Sequence, residues 1–180
     1  MKWLIASDIH GSAAYTKELL ERFQKERADR LVLLGDLLYH GPRNALPGEY
    51  DPKAVAAMLN EYRNEILSVR GNCDAEVDQM LLDFPILADY ALWELGDRMV
   101  FLTHGHLYNE NNLPPLKKGD ILLHGHTHVT ACTVHSDYIY MNPGSVSIPK
   151  GGSERGYLTY ENGVFLFKNL AGEERNWLAL

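Results

Sequence analysis

Histidines stand directly after a short apolar run in the second half of this sequence. Residues 121–123 are apolar, and they are followed by His126 and His128 with one residue between them. Neutral imidazole is a good ligand for divalent transition metals, and a buried strand that ends in alternating histidines presents both rings at its carboxyl end. Such a pair alone is a weak signal, because it also fits an ordinary polar strand end.

Four other apolar runs end in a similar way. Each leads into a glycine beside a carboxylate, amide or imidazole side chain. In open α/β sheets, ligands bind outside the carboxyl ends of the strands. Together with the first run, these ends predict a metal site. Its candidate ligands are Asp8, His10, Asp36, Asn72, His104, His126 and His128.

The order of these residues carries a resemblance to a known family. They form the motifs D-x-H, G-D, G-N-x-D, H-G-H and G-H-T-H, in that order. This succession resembles the metallophosphoesterase (calcineurin-like) superfamily, and it is similar to the small YfcE-like phosphodiesterase branch. Residues 40–47, 70–74 and 142–150 are also similar to that branch, so the resemblance extends over most of the chain. It implies hydrolysis of phosphate diesters.

The number of candidate ligands points to more than one ion. Seven ligands exceed the three or four that a single zinc-like ion takes. Two ions about 3.5–4 Å apart would activate a bridging water as hydroxide and hold a phosphate in line with it. Such a donor set admits Zn, Fe, Ni or Co as well as Mn, which we favour. The resemblance implies that Asp8, His10, Asp36 and His128 hold one ion, and that Asp36, Asn72, His104 and His126 hold the other.

The motif around Cys73 departs from the family pattern. Many members carry histidine at this position, where it is implied to help protonate the leaving oxygen. Asn72, Cys73 and Asp74 are therefore the candidate catalytic residues. A thiol with a pKa of about 8.5 is a poorer acid for this task. We therefore expect diesters with good leaving groups to be preferred over monoesters with poor ones. The alternative interpretation makes Cys73 a nucleophile.

Two further side chains are candidates for binding substrate. Arg43 stands in a loop rich in proline and glycine, at residues 40–52, and its guanidinium could fork onto phosphate oxygens. An arginine in a loop is also often simply solvated. His106 follows His104 by two positions, and it either faces substrate or supports a metal ligand.

The elements that position these residues follow from the spacing of apolar side chains. Strands are predicted at residues 2–7, 30–34 and 66–69, with helices after Ser12 and over residues 52–64, which argues for a parallel sheet. The second half is rich in strands, including two hairpins, and its polar tail is interpreted as a docking segment. We expect an α/β fold, a four-layer α-β-β-α sandwich of two packed mixed sheets, as a single domain of residues 1–180.

Composition limits the partners of this chain. The formal net charge is −7, which argues against general nucleic-acid binding and against a nuclease. No leader or membrane-spanning segment is expected, and two reduced cysteines fit a cytoplasmic location. The leading interpretation is a metal-dependent phosphodiesterase of small substrates that forms a dimer or tetramer. The alternatives are a phosphomonoesterase or protein phosphatase on the same centre, and a binding scaffold similar to the retromer subunit of this superfamily.

Overall fold

The first half of the chain alternates strands and helices. The computed structural model describes residues 1–180, and its β1, β2 and β3 pair in parallel in that order. Such pairing needs a crossover connection, which a helix supplies here between each pair of strands. These elements are β1 (Trp3–Ala6), α1 (Ala13–Glu26), β2 (Arg30–Leu33), α2 (Pro52–Asn60), β3 (Ile66–Ser68) and the short α3 (Glu76–Gln79).

The second half consists of strands and loops. Its strands complete one six-stranded sheet, in the order β11-β10-β9-β1-β2-β3, and form a five-stranded sheet, in the order β4-β5-β6-β8-β7. Both sheets mix parallel and antiparallel pairs. The strands are β4 (Tyr90–Leu95), β5 (Arg98–Thr103), β6 (Asp120–Leu123), β7 (Thr130–Val134), β8 (Tyr138–Pro143), β9 (Gly156–Glu161), β10 (Val164–Asn169) and β11 (Glu174–Ala179).

Two apolar layers hold these elements together. Successive residues of a strand point to opposite faces, so Leu4 of β1 packs with Leu19 of α1 while Ile5 packs with Leu123 of the other sheet. Because both faces of β1 and β2 are buried, their sequences are continuous apolar runs. The predicted α/β fold with two packed mixed sheets is confirmed.

The outer face of the five-stranded sheet is covered by the loop that connects β5 and β6. Phe101, Leu122 and Tyr140 project from this face, and they pack against Tyr108 and Leu116 of the segment between β5 and β6. The helices belong to the other side of the molecule, where α1 and α2 pack on the six-stranded sheet.

The polar tail, interpreted from the sequence as a docking segment, is a strand of the six-stranded sheet. β11 pairs antiparallel with β10, from Val164 opposite Ala179 to Lys168 opposite Glu174. It is the edge of its sheet, and most of its side chains are exposed. Edge strands of this kind carry charged residues that hinder pairing with other chains, which hides the alternation expected of a strand.

Trp93 of β4 is half-buried and offers little surface for self-association. Its ring stacks on Trp3 with centroids 4.0 Å apart, and it packs against the core between the sheets. Tyr90 and Leu92 of the same strand are more exposed. None of the helices has the length and apolar character required to cross a membrane.

Candidate metal centre

All seven predicted ligands lie at one edge of the paired sheets. The six-stranded sheet supplies four of them after β1, β2 and β3, and the five-stranded sheet supplies three after β5 and β6. The carboxyl ends of parallel strands meet at the same edge of a sheet, so packing of two such edges gathers ligands that are distant in sequence. The first four are Asp8, His10, Asp36 and Asn72, and the other three are His104, His126 and His128.

A first group of ligand atoms surrounds Asp8. Its Oδ1 lies 3.5 Å from His10 Nε2 and 3.3 Å from His128 Nε2, and the two Nε2 atoms are 3.2 Å apart. Asp8 Oδ1 is buried and has no hydrogen-bond partner in the protein. Buried carboxylate oxygens are normally paired, so this atom is suited to a cation.

The protonation of three histidines can be assigned from their outer contacts. His10, His104 and His128 each place Nδ1 against a backbone carbonyl oxygen, at 2.8, 2.7 and 2.7 Å. A carbonyl only accepts, so each Nδ1 carries a proton and, in the neutral ring, each Nε2 has a free lone pair. A histidine that ligates a metal is typically oriented in this way by its second nitrogen.

A second group of ligand atoms surrounds His104. Its Nε2 lies 3.2 Å from Asn72 Oδ1, 3.2 Å from His126 Nδ1 and 3.4 Å from Asp36 Oδ2. The same Asp36 Oδ2 lies 3.7 Å from Nε2 of His10 in the first group. One carboxylate oxygen therefore stands between the two groups.

The charges of these residues are mutually dependent. Burial alone would lower the pKa of His104, but Asp36 and Asp8 raise it to about 9. Burial lowers the pKa of His126, and its neighbour His104 lowers it further, to about 4. The carboxylates therefore favour positive charge at the place where the ligand atoms converge.

Most of the ligands have a backbone conformation that is rare for residues other than glycine. The φ angles are +58° at Asp8, +51° at His10, +56° at Asp36, +65° at His126 and +61° at His128. Aspartate and histidine tolerate this left-handed region better than most residues, but it still costs free energy. Such conformations concentrate at functional sites, where the surrounding structure enforces them.

Two glycines of the motifs allow the ligands to approach one another. A Cβ on Gly71 would lie 2.1 Å from Asp36 Oδ1, and a Cβ on Gly125 would lie 1.9 Å from Ser7 Oγ and 2.6 Å from Asp8 Oδ2. Any larger residue at either position would displace a ligand. This explains why glycine precedes a ligand in the G-N and G-H motifs.

Serines support Asp8, and the sequence interpretation missed most of this support. The hydroxyl of Ser7, at the end of the first predicted strand, donates to Asp8 Oδ2 at 2.7 Å. Ser145 and Ser147 both donate to the backbone carbonyl oxygen of Asp8, at 2.8 and 3.1 Å. Three hydroxyl groups thus fix the position of Asp8. The only sign of this support in the sequence is the serine directly before Asp8.

Asp74 does not direct its carboxylate to a reacting group. Its oxygens accept from the backbone N–H groups of Asp36, Leu37 and Gly71, at 2.8, 2.9 and 2.7 Å. The side chain is buried. Asp74 therefore ties the turn that carries Asn72 to the turn that carries Asp36.

Cys73 borders the same centre. Its backbone N–H donates to Asp36 Oδ1 at 2.8 Å, and its Sγ accepts from Asn72 Nδ2 at 3.2 Å. Burial, followed by the negative charge of Asp36, raises the pKa of the Cys73 thiol to about 12. This environment opposes formation of a thiolate, which a cysteine nucleophile requires.

A pocket of about 360 Å³ opens over the ligands. Arg43 lines it, together with Cys73 and Lys150. His106 is not among its lining residues. The ring of His106 lies 5.5 Å from that of His104 and 6.3 Å from that of His126, between centroids. The structure thus brings Arg43 to the pocket and His106 to the side of the ligands.

The donor set fits two divalent cations. The ligand atoms are the inward-facing histidine nitrogens, the buried Asp8 Oδ1 and the shared Asp36 Oδ2. Their only partners of opposite charge in the protein are one another. Mixed oxygen and imidazole donors are typical of transition-metal sites. Paired ions that share a carboxylate are typical of phosphate-ester hydrolases.

Comparisons with known proteins agree with this geometry. The profile of the calcineurin-like phosphoesterase superfamily domain matches residues 1–162. The chain is 51% identical to phosphodiesterase YfcE of Escherichia coli strain K12 over 164 residues, which is 91% of this chain and 89% of YfcE. A solved structure of YfcE, described as a phosphoesterase from E. coli, superposes with a TM-score of 0.96 at 47% identity and covers 99% of both chains.

More distant structures share the fold. Vps29 of Chaetomium thermophilum superposes with a TM-score of 0.61 at 16% identity, covering 100% of this chain and 96% of that one. At this identity the likeness concerns the fold alone. The family profile, the identity to YfcE and the convergent ligands lead to the same assignment. This chain belongs to the calcineurin-like phosphoesterase superfamily.

Proposed function

We propose that this protein is a phosphodiesterase that uses two divalent transition-metal ions, with manganese as the favoured metal. The observation that carries the proposal is the position of Asp36 Oδ2, 3.7 Å from a histidine nitrogen of one ligand group and 3.4 Å from one of the other. A shared carboxylate of this kind is expected in a paired-ion site. The identity to phosphodiesterase YfcE supports the choice of a diester substrate.

Each group of residues has a defined task in this proposal. Asp8, His10, Asp36 and His128 hold one ion, and Asp36, Asn72, His104 and His126 hold the other. The bound ions supply Lewis acidity, which lowers the pKa of water and offsets charge in the transition state. Arg43 would bind an anionic group of the substrate from the pocket. His106 would support His104 and His126 rather than contact substrate directly.

The leaving group receives little help from the protein. Cys73 is a protonated wall residue in this proposal, and Asp74 is a positioning residue because its carboxylate is occupied by backbone N–H groups. Many relatives carry a histidine at the position of Cys73, and in this proposal no other imidazole takes over its role. Diesters with good leaving groups are therefore better substrates than monoesters with poor ones.

The proposal extends to the domain organisation, the cellular compartment and the partners of the protein. We treat residues 1–180 as one catalytic domain, because β11 joins the segment beyond residue 162 to the six-stranded sheet. A free Cys73 beside the ligands favours the reducing cytoplasm. We expect a small substrate and no general nucleic-acid binding. Self-association as a dimer or tetramer stays a prediction that light scattering at micromolar concentration can test.

The experiment is a substrate panel on protein reconstituted with manganese. Bis(p-nitrophenyl) phosphate and p-nitrophenyl phosphate share a leaving group and differ in being diester and monoester. We expect the larger kcat/KM on the diester, and none in Asp36→Asn. A larger kcat/KM on the monoester would assign the protein to the phosphomonoesterases. Full metal occupancy with no hydrolysis of either ester would favour a binding scaffold.

A further inference from the structure

Two cationic side chains from separate segments of the chain border the pocket over the ligands. Arg43 belongs to the loop after β2, and Lys150 follows β8 by seven positions. The sequence interpretation named Arg43 only. Lys150 becomes a candidate because the fold brings it to the same pocket.

The backbone around Lys150 is hydrogen-bonded to His128, one of the predicted metal ligands. Its N–H donates to the carbonyl oxygen of His128 at 2.9 Å, and His128 Nδ1 donates to the carbonyl oxygen of Ile148 at 2.7 Å. The segment that orients His128 therefore also carries Lys150. The ammonium group of Lys150 extends from this fixed base and is exposed.

The backbone around Arg43 is fixed at the other boundary of the centre. Asn44 donates through its backbone to the carbonyl oxygen of Gly41 at 3.3 Å, and through its side chain to that of His40 at 2.9 Å. A Cβ on Gly41 would lie only 3.3 Å from Cys73 Sγ. This turn therefore rests against the residue that follows the ligand Asn72.

Neither cation has an anionic partner in the protein. The ion pairs of lysine and arginine involve other side chains, such as Lys2, Lys168 and Arg175. Asp36 is the one carboxylate among the residues that line the pocket, and it belongs to the ligands. Two unpaired cations in a pocket lined with polar groups are suited to an anion on the bound molecule.

A diester with a single negative charge does not need these two cations to neutralise it. Under the proposed function, the charge of two divalent ions is offset by Asp8, Asp36, the hydroxide nucleophile and the single negative charge of a phosphodiester. Arg43 and Lys150 remain in addition. We propose that Lys150 is a specificity-determining residue which, together with Arg43, binds a second anionic group of the substrate, such as a carboxylate or another phosphoryl group. This inference rests on the proposed function.

The remaining lining residues limit what else the substrate contains. Apart from Pro42 and Cys73, the lining consists of glycine and polar or charged residues, and no Phe, Tyr or Trp belongs to it. Recognition of a nucleobase usually relies on an aromatic platform for stacking. A pocket of about 360 Å³ is at the small end of ligand sites. The substrate is therefore a small, polar and multiply charged diester rather than a nucleotide derivative.

The test measures binding by calorimetry on manganese-loaded protein. Glycerol 3-phosphate and 3-phosphoglycerate serve as probes, because they differ in carrying a hydroxymethyl group or a carboxylate beside the same phosphoryl ester. We expect 3-phosphoglycerate to bind about tenfold more tightly than glycerol 3-phosphate, because its carboxylate can form one additional charge-assisted hydrogen bond. Lys150→Met should reduce this ratio to about twofold or less and leave the affinity for glycerol 3-phosphate nearly unchanged.

A matched variant separates this effect from a change in overall charge. Lys118→Met removes one exposed positive charge outside the pocket, and it should keep the wild-type ratio. Equal affinity of the wild type for both probes, or an unchanged ratio in Lys150→Met at equal metal content, would overturn the proposal. Hydrolysis of bis(p-nitrophenyl) phosphate is measured on the same samples. Diester hydrolysis without a probe preference would overturn this inference alone, and preference without hydrolysis would overturn the proposed function.

Discussion

The Nε2 atoms of His10 and His128 face each other across 3.2 Å, although each ring already donates through Nδ1 to a backbone carbonyl. Two neutral rings in these tautomers would place lone pairs against each other, which is unfavourable without a proton or a cation between them. The backbone holds both rings in this position. The protein therefore maintains a geometry that a bound cation makes favourable.

The first prediction concerns the number of ions. Elemental analysis after reconstitution with manganese should give about two ions per chain. Because the ions bind the folded chain, excess metal at about 100 times Kd should stabilise it by about 2.7 kcal/mol for each bound ion, which a melting curve with and without chelator will detect. His128→Ala should lower the occupancy toward about one ion. Full activity with occupancy saturating at one would contradict the paired-ion site.

The second prediction concerns Asp36→Asn. The side chain stands between both ligand groups, so loss of its charge should weaken both ions and lower kcat/KM by more than about 100-fold. Circular dichroism should show a retained fold, because the amide oxygen can still accept from the backbone N–H of Cys73. Asp97→Asn, at an exposed position of a hairpin turn, is the matched control and should keep wild-type kinetics. Near-native turnover of Asp36→Asn at equal metal content would exclude the shared ligand.

The third prediction concerns Cys73→Ala. If the thiol is a wall of the pocket, this variant should retain most of its kcat/KM on bis(p-nitrophenyl) phosphate, because that leaving group needs no acid. The raised pKa of the thiol, caused by burial and by Asp36, agrees with this expectation. Steady-state kinetics at matched metal content is the measurement. An inactive variant with full occupancy would make Cys73 a catalytic residue.

The fourth prediction concerns Cys73→His. Histidine introduces an acid with a pKa of about 6.5 beside the ligands, where it can protonate a leaving oxygen. We expect kcat/KM on monoesters to rise relative to diesters, most strongly for poor leaving groups. A leaving-group series of phenyl phosphates measures this trend. Asp74 already serves three backbone donors, so the new ring would lack a carboxylate to orient it and the gain should be modest, about tenfold. An unchanged ratio would show that position 73 does not govern the leaving group.

The fifth prediction concerns the pH dependence of stability, away from the ligands. Burial alone would raise the pKa of Glu26, but hydrogen bonds from Lys2, Lys168 and Tyr157 lower it to about 2. A carboxyl group whose pKa is lowered by folding stabilises the protein above its unfolded pKa, and this contribution is lost as the pH falls through the folded pKa. Glu26 should therefore contribute fully above pH 5 and progressively less toward about pH 2.

Glu26→Gln provides the measurement. Urea unfolding of metal-free protein should show the variant less stable than wild type by about 1–2 kcal/mol at pH 7, after allowance for solvent screening. The difference should shrink as the pH is lowered from 5 to 3. Metal-free protein is used so that loss of metal in acid does not contribute. A difference that is constant over this range would show that packing of Glu26, rather than its charge, provides the stability.

The sequence predicted the parts of the fold that have strong periodicity. β1 and β2 are continuous apolar runs, and α1 repeats apolar residues at helical spacing, with Ser12 capping it by accepting from Tyr15 N–H. The edge strand β11 escaped prediction because both of its faces are largely exposed. A strand without a buried face has no alternation to detect.

The contacts that orient the ligands were harder to predict than the ligands themselves. Ligands are recognised by residue type, whereas Ser147 and Lys150 act through their position in space. Each reaches the centre because the segment after β8 folds back against Asp8 and His128. Asp74 is the opposite case. Its position beside Asn72 suggested a catalytic role, but its carboxylate accepts hydrogen bonds from backbone N–H groups. Tertiary packing, which sequence patterns do not encode, decides between such roles.

The ligands come from both sheets, and this makes the shared core part of the catalytic apparatus. His104 and His126 are carried by the five-stranded sheet, while Asp36 and Asn72 are carried by the other. Any sliding of one sheet over the other would change the separation of the two groups of ligand atoms. Side chains such as Ile5 and Leu123, which pack between the sheets, therefore set a distance on which the rate depends. Variation in the reaction rate among relatives can thus originate in the hydrophobic core, far from any residue that touches substrate.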